Sequence, residues 1–195
     1  MSLRKLEKIV HAHEVTEGAG LKVNRLLGTP ELQDLDPFLL LDEFKNEDPA
    51  QYIAGFPDHP HRGIETVTYL IAGGMRHEDN KGNSGLLGPG DVQWMTAGRG
   101  IIHSEMPDQD KGMLWGLQLW VNLSAKNKMI EPRYQEIKSE EVPVIMGDNG
   151  AKLKIIAGQL DGARGPIEKT DVAVVFIDIE LPKDTSFNYK ISDSY

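Results

Sequence analysis

The chain has 195 residues, enough for one full domain or one domain and part of another, and its 30 acidic against 21 basic side chains leave a net charge of −9. That balance lacks the basic footprint that a surface for direct nucleic-acid binding needs. The sequence contains no cysteine, which excludes disulfides, thiolate-bound zinc, iron–sulfur clusters and a Cys nucleophile, and leaves imidazoles, carboxylates and water to hold any metal.

The opening from Met1 to Lys8 has no signal-peptide apolar region, and no apolar run reaches the ~18 residues of a membrane span. A soluble, intracellular, cytoplasmic protein without membrane contact is therefore expected. Twenty glycines and 11 prolines punctuate short segments, most of them too short or too alternating for amphipathic helices, which favours an all-β domain. In chain order the expected strands are Leu21–Leu27, Pro37–Phe44, Ile64–Ala72, Asp91–Thr96, Ile101–Met106 and Leu114–Asn122, with at most a helical turn over Glu31–Leu35. Ala72-Gly73-Gly74 and Lys81-Gly82-Asn83-Ser84-Gly85 read as hairpin turns. In the clearest strand, Trp115, Leu117, Leu119 and Val121 share one face, read as core, while Gly116, Gln118 and Trp120 share the other. Many short strands point to a sandwich or barrel.

A boundary is expected between Pro132 and Pro143, where Gln135–Glu141 is polar and charged. This gives an N-terminal barrel over 1–134 and a linker with a partial second β region over 135–195. The later strands are expected at Ala151–Ala157, Val172–Leu181 and Ser186–Ile191, too few to close an eight-stranded roll.

The chemistry concentrates in two segments, Gly55-Phe56-Pro57-Asp58-His59-Pro60-His61-Arg62-Gly63-Ile64-Glu65 and Thr96-Ala97-Gly98-Arg99-Gly100-Ile101-Ile102-His103-Ser104-Glu105-Met106-Pro107. In extended backbone, residues i and i+2 share a face, so His59 with His61 and His103 with Glu105 each form a two-toothed clamp. Two clamps meeting inside a barrel would make a three-His, one-carboxylate site with open positions on a six-coordinate metal. Alone, His59-Pro60-His61 also suits a turn with exposed imidazoles, and His103-Ser104-Glu105 also suits a surface strand. His11 and His13 read as an exposed strand face, His77 as solvated, and Lys126, Lys128 and Arg133 as a solvated loop. Phe56, Trp94, Met95 and Trp120 suit either an aromatic pocket or ordinary core packing.

These segments, together with Pro37-Phe38-Leu39-Leu40-Leu41-Asp42-Glu43-Phe44, Gly88-Pro89-Gly90-Asp91-Val92-Gln93-Trp94-Met95-Thr96 and Gly116-Leu117-Gln118-Leu119-Trp120-Val121-Asn122-Leu123, closely resemble the pirin family of the cupin superfamily. The likeness runs from about Gly18 to Val144. It implies an all-β bicupin whose first jelly-roll barrel binds one mononuclear divalent metal, most plausibly Fe(II), through His59, His61, His103 and Glu105. Glu65 sits where other cupins carry a ligand, but the resemblance assigns it none. Against that pattern, the second barrel is expected to be incomplete in this chain. The family includes quercetinases, which cleave flavonols with O2, and a metal-dependent transcriptional co-regulator. The first implies a small aromatic substrate with Glu105 as catalytic base. The second implies a non-enzymatic regulatory protein acting through a protein partner.

Overall fold

The computed structural model describes residues 5–33 and 35–190. The chain runs through β1 (His13–Glu17), β2 (Leu21–Leu27), β3 (Phe38–Asn46), β4 (Phe56–His61), β5 (Ile64–Ala72), β6 (Met75–Asp79), β7 (Ser84–Leu87), β8 (Val92–Thr96), β9 (Ile101–Pro107), β10 (Leu114–Asn122) and β11 (Arg133–Ile137). These form two antiparallel sheets, one of seven strands in the order β1-β2-β3-β10-β5-β8-β11 and one of four in the order β4-β9-β6-β7. Side-chain contacts such as Thr68 to Glu105 and His77 to Glu136 join the inner faces, so the sheets enclose one interior. That is the expected all-β barrel.

One end of this interior is an apolar plug of Leu21, Val23, Phe44, Tyr52, Leu70, Met75, Leu87 and Leu114, all buried. Fully burying a side chain of this size contributes about 1.5–3 kcal/mol, so the plug anchors the barrel and leaves its middle free for polar groups. Gly116 belongs to this packing, because a Cβ there would run into the Phe44 ring. In β10, Gly116, Gln118 and Trp120 turn inward, opposite to the face expected to be core; of that face Trp115, Leu117 and Leu119 are only half-buried, and Val121, beyond a register shift, is fully buried. The apolar count of a strand misled here because this interior must also hold polar chemistry.

Ala72-Gly73-Gly74 does not close a hairpin: β5 pairs with β10 and β8, β6 with β9 and β7, so this bend carries the chain from one sheet to the other. The turn after Asp79 is a true hairpin, held by Asp79 Oδ1, which accepts from the Lys81 and Asn83 amides at 2.8 and 2.9 Å. Residues 133–137, expected in part as linker, form an edge strand on β8. Their alternating Tyr134 and Glu136 side chains both meet His77 inside the barrel. No helical turn forms among the described residues of 31–35, and Asp34 lies outside them.

The chain divides into two compact units between Ser139 and Glu140. The second contains β12 (Val144–Met146), β13 (Lys152–Ala157), β14 (Gln159–Leu160), β15 (Ala163–Arg164) and β16 (Phe176–Glu180). Strands β12, β13 and β16 make a three-stranded sheet, and β14 and β15 a short hairpin. Its core is Ala151, Leu153, Ile155 and Leu160, with Phe187 and Tyr189 packed against it. The strand expected over Ser186–Ile191 is absent over 186–190, where the aromatic side chains pack without a ladder; Ile191 lies outside the described residues.

Candidate metal centre

The first clamp meets the His103 half of the second. Strand β4 pairs with β9 so that His59 lies opposite His103, and β9 pairs with β6 so that Glu105 lies opposite His77 and His103 opposite Asp79. The His59, His61 and His103 ring centroids are 4.5–5.1 Å apart, and one ring nitrogen of each lies within 4.8 Å of the others. His59 Nδ1 donates to the Pro57 carbonyl at 2.8 Å, which leaves a lone pair on Nε2, 3.0 Å from His61 Nε2. Roughly 3.0 Å is also the separation of two nitrogens held at right angles on one ion at ~2.1 Å each. His103 is 1% exposed, and neither of its ring nitrogens has a hydrogen-bond partner among the described residues. An imidazole buried in this way costs stability unless something else occupies it. The donor set therefore fits a divalent transition metal.

Burial, with the His103 and His59 rings nearby, pushes the His61 pKa down to about 4, so it offers a lone pair near neutral pH. His103 is also shifted down, chiefly by burial, against the opposing pull of Glu105.

Glu105 is 2% exposed and lies on the same face as His103, but it is not one of the close trio. Its Oε1 accepts from Thr68 Oγ1 at 2.9 Å and its Oε2 from Gln118 Nε2 at 2.8 Å. Burial disfavours its charge, yet the neighbouring His103 and these two donors outweigh burial and hold its pKa below the usual carboxylate range. Thr68 and Gln118 belong to a transverse row that no sequence motif announced. Arg25, Asp42, Gln118, Thr68, Gln93 and Glu136 lie opposite one another in turn across β2, β3, β10, β5, β8 and β11. Arg25 closes one end, donating to both Asp42 oxygens at 2.8 and 2.7 Å and to Glu17 at 2.6 Å.

At the other end Glu136 pairs with His77 and accepts from Gln93 Nε2 at 3.1 Å. His77 is therefore not solvated: it is 3% exposed and stacked on Tyr134 with centroids 5.5 Å apart. Gly85 makes room for it, since a Cβ there would meet both His77 Nε2 and the Glu136 carboxylate. The sequence signal available was β-alternation, which puts Met75, His77 and Asp79 on one face.

A cavity of about 490 Å³ opens on His59 and His61, lined among others by Val23, Arg25, Leu40, Asp42, Phe44, Phe56, Gln118 and Trp120. Trp120 meets the His61 ring edge-on at 5.1 Å. Of the four aromatic-pocket candidates, Phe56 and Trp120 line the cavity, whereas Trp94 and Met95 are fully buried. Glu65 is fully buried, accepts from Thr96 Oγ1 at 2.7 Å and points to the face of β5 opposite Thr66 and Thr68. His11 and His13 are exposed. Lys128 is a strut rather than a solvated side chain, donating to the Gly63 carbonyl at 2.9 Å and to Asn122 at 2.7 Å.

The family model described as Pirin matches residues 20–121. The Pirin-like protein of Caulobacter vibrioides is 50% identical over 194 residues, covering 99% of this chain and 70% of its own. Pirin of Homo sapiens is 48% identical over 203 residues, covering 98% of this chain and 68% of its own. Among solved structures, a quercetin 2,3-dioxygenase from Acinetobacter baumannii aligns with a TM-score of 0.81 at 35% identity, over 90% of this chain and 64% of that one.

Proposed function

The chain belongs to the pirin family, and on that premise we propose that it is a quercetinase-like dioxygenase with one Fe(II) held by His59, His61, His103 and Glu105. The observation that carries this reading is the convergence of three imidazoles, two of which, His59 and His61, line an aromatic-walled cavity of about 490 Å³ while the third, buried His103, has no partner for either ring nitrogen among the described residues. A regulator needs no such cavity; a flavonol-sized substrate does. The likeness to the quercetin 2,3-dioxygenase of Acinetobacter baumannii supports the same direction.

Bound there, the metal supplies Lewis-acid and one-electron chemistry toward O2. The chain's residues do the rest. Phe56, Trp120, Phe44 and Leu40 offer apolar walls that enclose a flat ring and exclude water. Glu105, held ionised by its donors, accepts the proton of the flavonol hydroxyl, whose acidity a bound metal would raise enough for a weak base to suffice. The ring is then cleaved by O2 with release of carbon monoxide.

The test is flavonol-dependent oxygen uptake by anaerobically Fe(II)-loaded protein, with metal content measured and His59→Ala as control. Uptake lost in the control supports the dioxygenase reading. Metal-replete protein without uptake would move the assignment to the metal-dependent regulatory role.

A further inference from the structure

The carboxylate of Glu105 is gripped from the side facing away from its own strand. Thr68 and Gln118 are direct neighbours across β5 and β10, so their side chains stand next to each other on the inner face. Each reaches a different oxygen of Glu105, at 2.9 and 2.8 Å. Hydrogen bonds to a charged carboxylate are about twice as strong as neutral ones, and both draw on lone pairs that a metal would otherwise use. The orientation of Gln118 is itself fixed. Its Oε1 accepts from Trp120 Nε1 at 3.2 Å, which turns the NH2 end toward Glu105. Thr68 is 1% exposed, so it has no water-facing alternative. Gln118 and Trp120 both line the cavity, so the grip lies between the cavity wall and the carboxylate.

We propose that Thr68 and Gln118 are positioning residues, a two-donor clasp that limits how tightly Glu105 binds the metal and keeps that carboxylate a weak, displaceable ligand. This rests on the reading that His59, His61, His103 and Glu105 form the metal site. Both oxygens are already engaged, so coordination by either has to compete with a charge-assisted hydrogen bond that the chain itself supplies.

The test reads metal binding rather than turnover. Metal-free protein is titrated with Co(II), following visible absorption, for wild type, Thr68→Val, Gln118→Met, the double variant and Glu105→Gln. Thr68→Val keeps the shape and removes the donor; Gln118→Met keeps the length and removes the amide. Each single variant is expected to bind Co(II) at least about threefold more tightly than wild type, the double variant more tightly still, consistent with loss of competing charge-assisted bonds. The absorption bands should weaken as the carboxylate joins the coordination shell. Thr68→Ser, which restores a hydroxyl, should return to the wild-type affinity, and in the Glu105→Gln background Thr68→Val should change nothing. Unchanged or weaker binding in both single variants overturns the clasp. A wild type that binds no more Co(II) than His59→Ala overturns the metal site itself, and Glu105→Gln matching wild type in affinity and spectrum removes Glu105 from it.

Discussion

Replacing His103 with Leu tests whether the interior is built for a metal rather than for stability. The ring is buried, and both nitrogens lack partners among the described residues. Each buried, unsatisfied polar group costs about 1–3 kcal/mol, so one unpaired donor and one unpaired acceptor put the penalty at about 2 kcal/mol or more in metal-free protein. Leucine has similar volume, carries no polar atom and gains apolar contact, so His103→Leu should stabilise the metal-free form. For a unit of this size about 2 kcal/mol corresponds to an increase in Tm of roughly 4–8 °C. Metal reverses the order: at a free concentration about 100 times its Kd, wild type gains about 2.7 kcal/mol and the variant gains nothing. Thermal unfolding with a chelator and with added Fe(II), Mn(II) or Ni(II) checks both halves. A variant that melts below wild type in chelator, or that keeps its metal-induced shift, refutes the reasoning.

Glu105→Gln should lose flavonol-dependent oxygen uptake by at least about tenfold more than it loses metal, whereas His59→Ala should lose both; elemental analysis beside oxygen uptake separates them. Gly85→Ala forces a Cβ into His77 and Glu136 and should cost about 1–3 kcal/mol in urea unfolding, with no change meaning that the pair is not held as the structure has it. Glu136 is shifted below its ordinary 4.5 by the His77 bond. A depressed carboxylate contributes its stability fully above the unfolded value and loses it as the pH falls through the folded one. The stability gap between wild type and Glu136→Gln should therefore be widest near pH 7 and shrink below about pH 4.5. A gap that stays constant from pH 7 to pH 3 contradicts that linkage.

The i, i+2 spacing of His59 with His61 was legible because a strand places alternate residues on one face, and β4 is a strand over both. The spacing of His103 and Glu105 was legible for the same reason, but not that the carboxylate is taken up by Thr68 and Gln118. Those contacts join residues 37 and 13 positions apart, set by strand order rather than by local pattern. His77 was misread because its neighbours Arg76, Glu78 and Asp79 make the hairpin look polar, although alternation sends Arg76 outward and His77 inward. Glu136 was lost in Gln135–Glu141, a stretch whose charge suggested a linker. An edge strand facing a polar interior shows the same composition as a solvated connector, and only the partner strand distinguishes them.

The same point explains where the chemistry sits. An apolar strand face normally marks the core, yet in this barrel the apolar residues close one end and the polar row crosses the middle. The row is tolerable because its members are paired: Arg25 with Asp42, Gln118 and Thr68 with Glu105, Gln93 and His77 with Glu136. Each pairing satisfies a buried group that would otherwise cost about 1–3 kcal/mol. Within the trio His103 stands apart, with both ring nitrogens lacking a partner among the described residues in an interior that satisfies so many other polar groups. Such selective incompleteness is what a binding site requires, because whatever fills it recovers free energy that the protein alone does not. Thermal unfolding of His103→Leu reads that difference from the protein side, and Co(II) titration of the clasp variants reads it from the metal side.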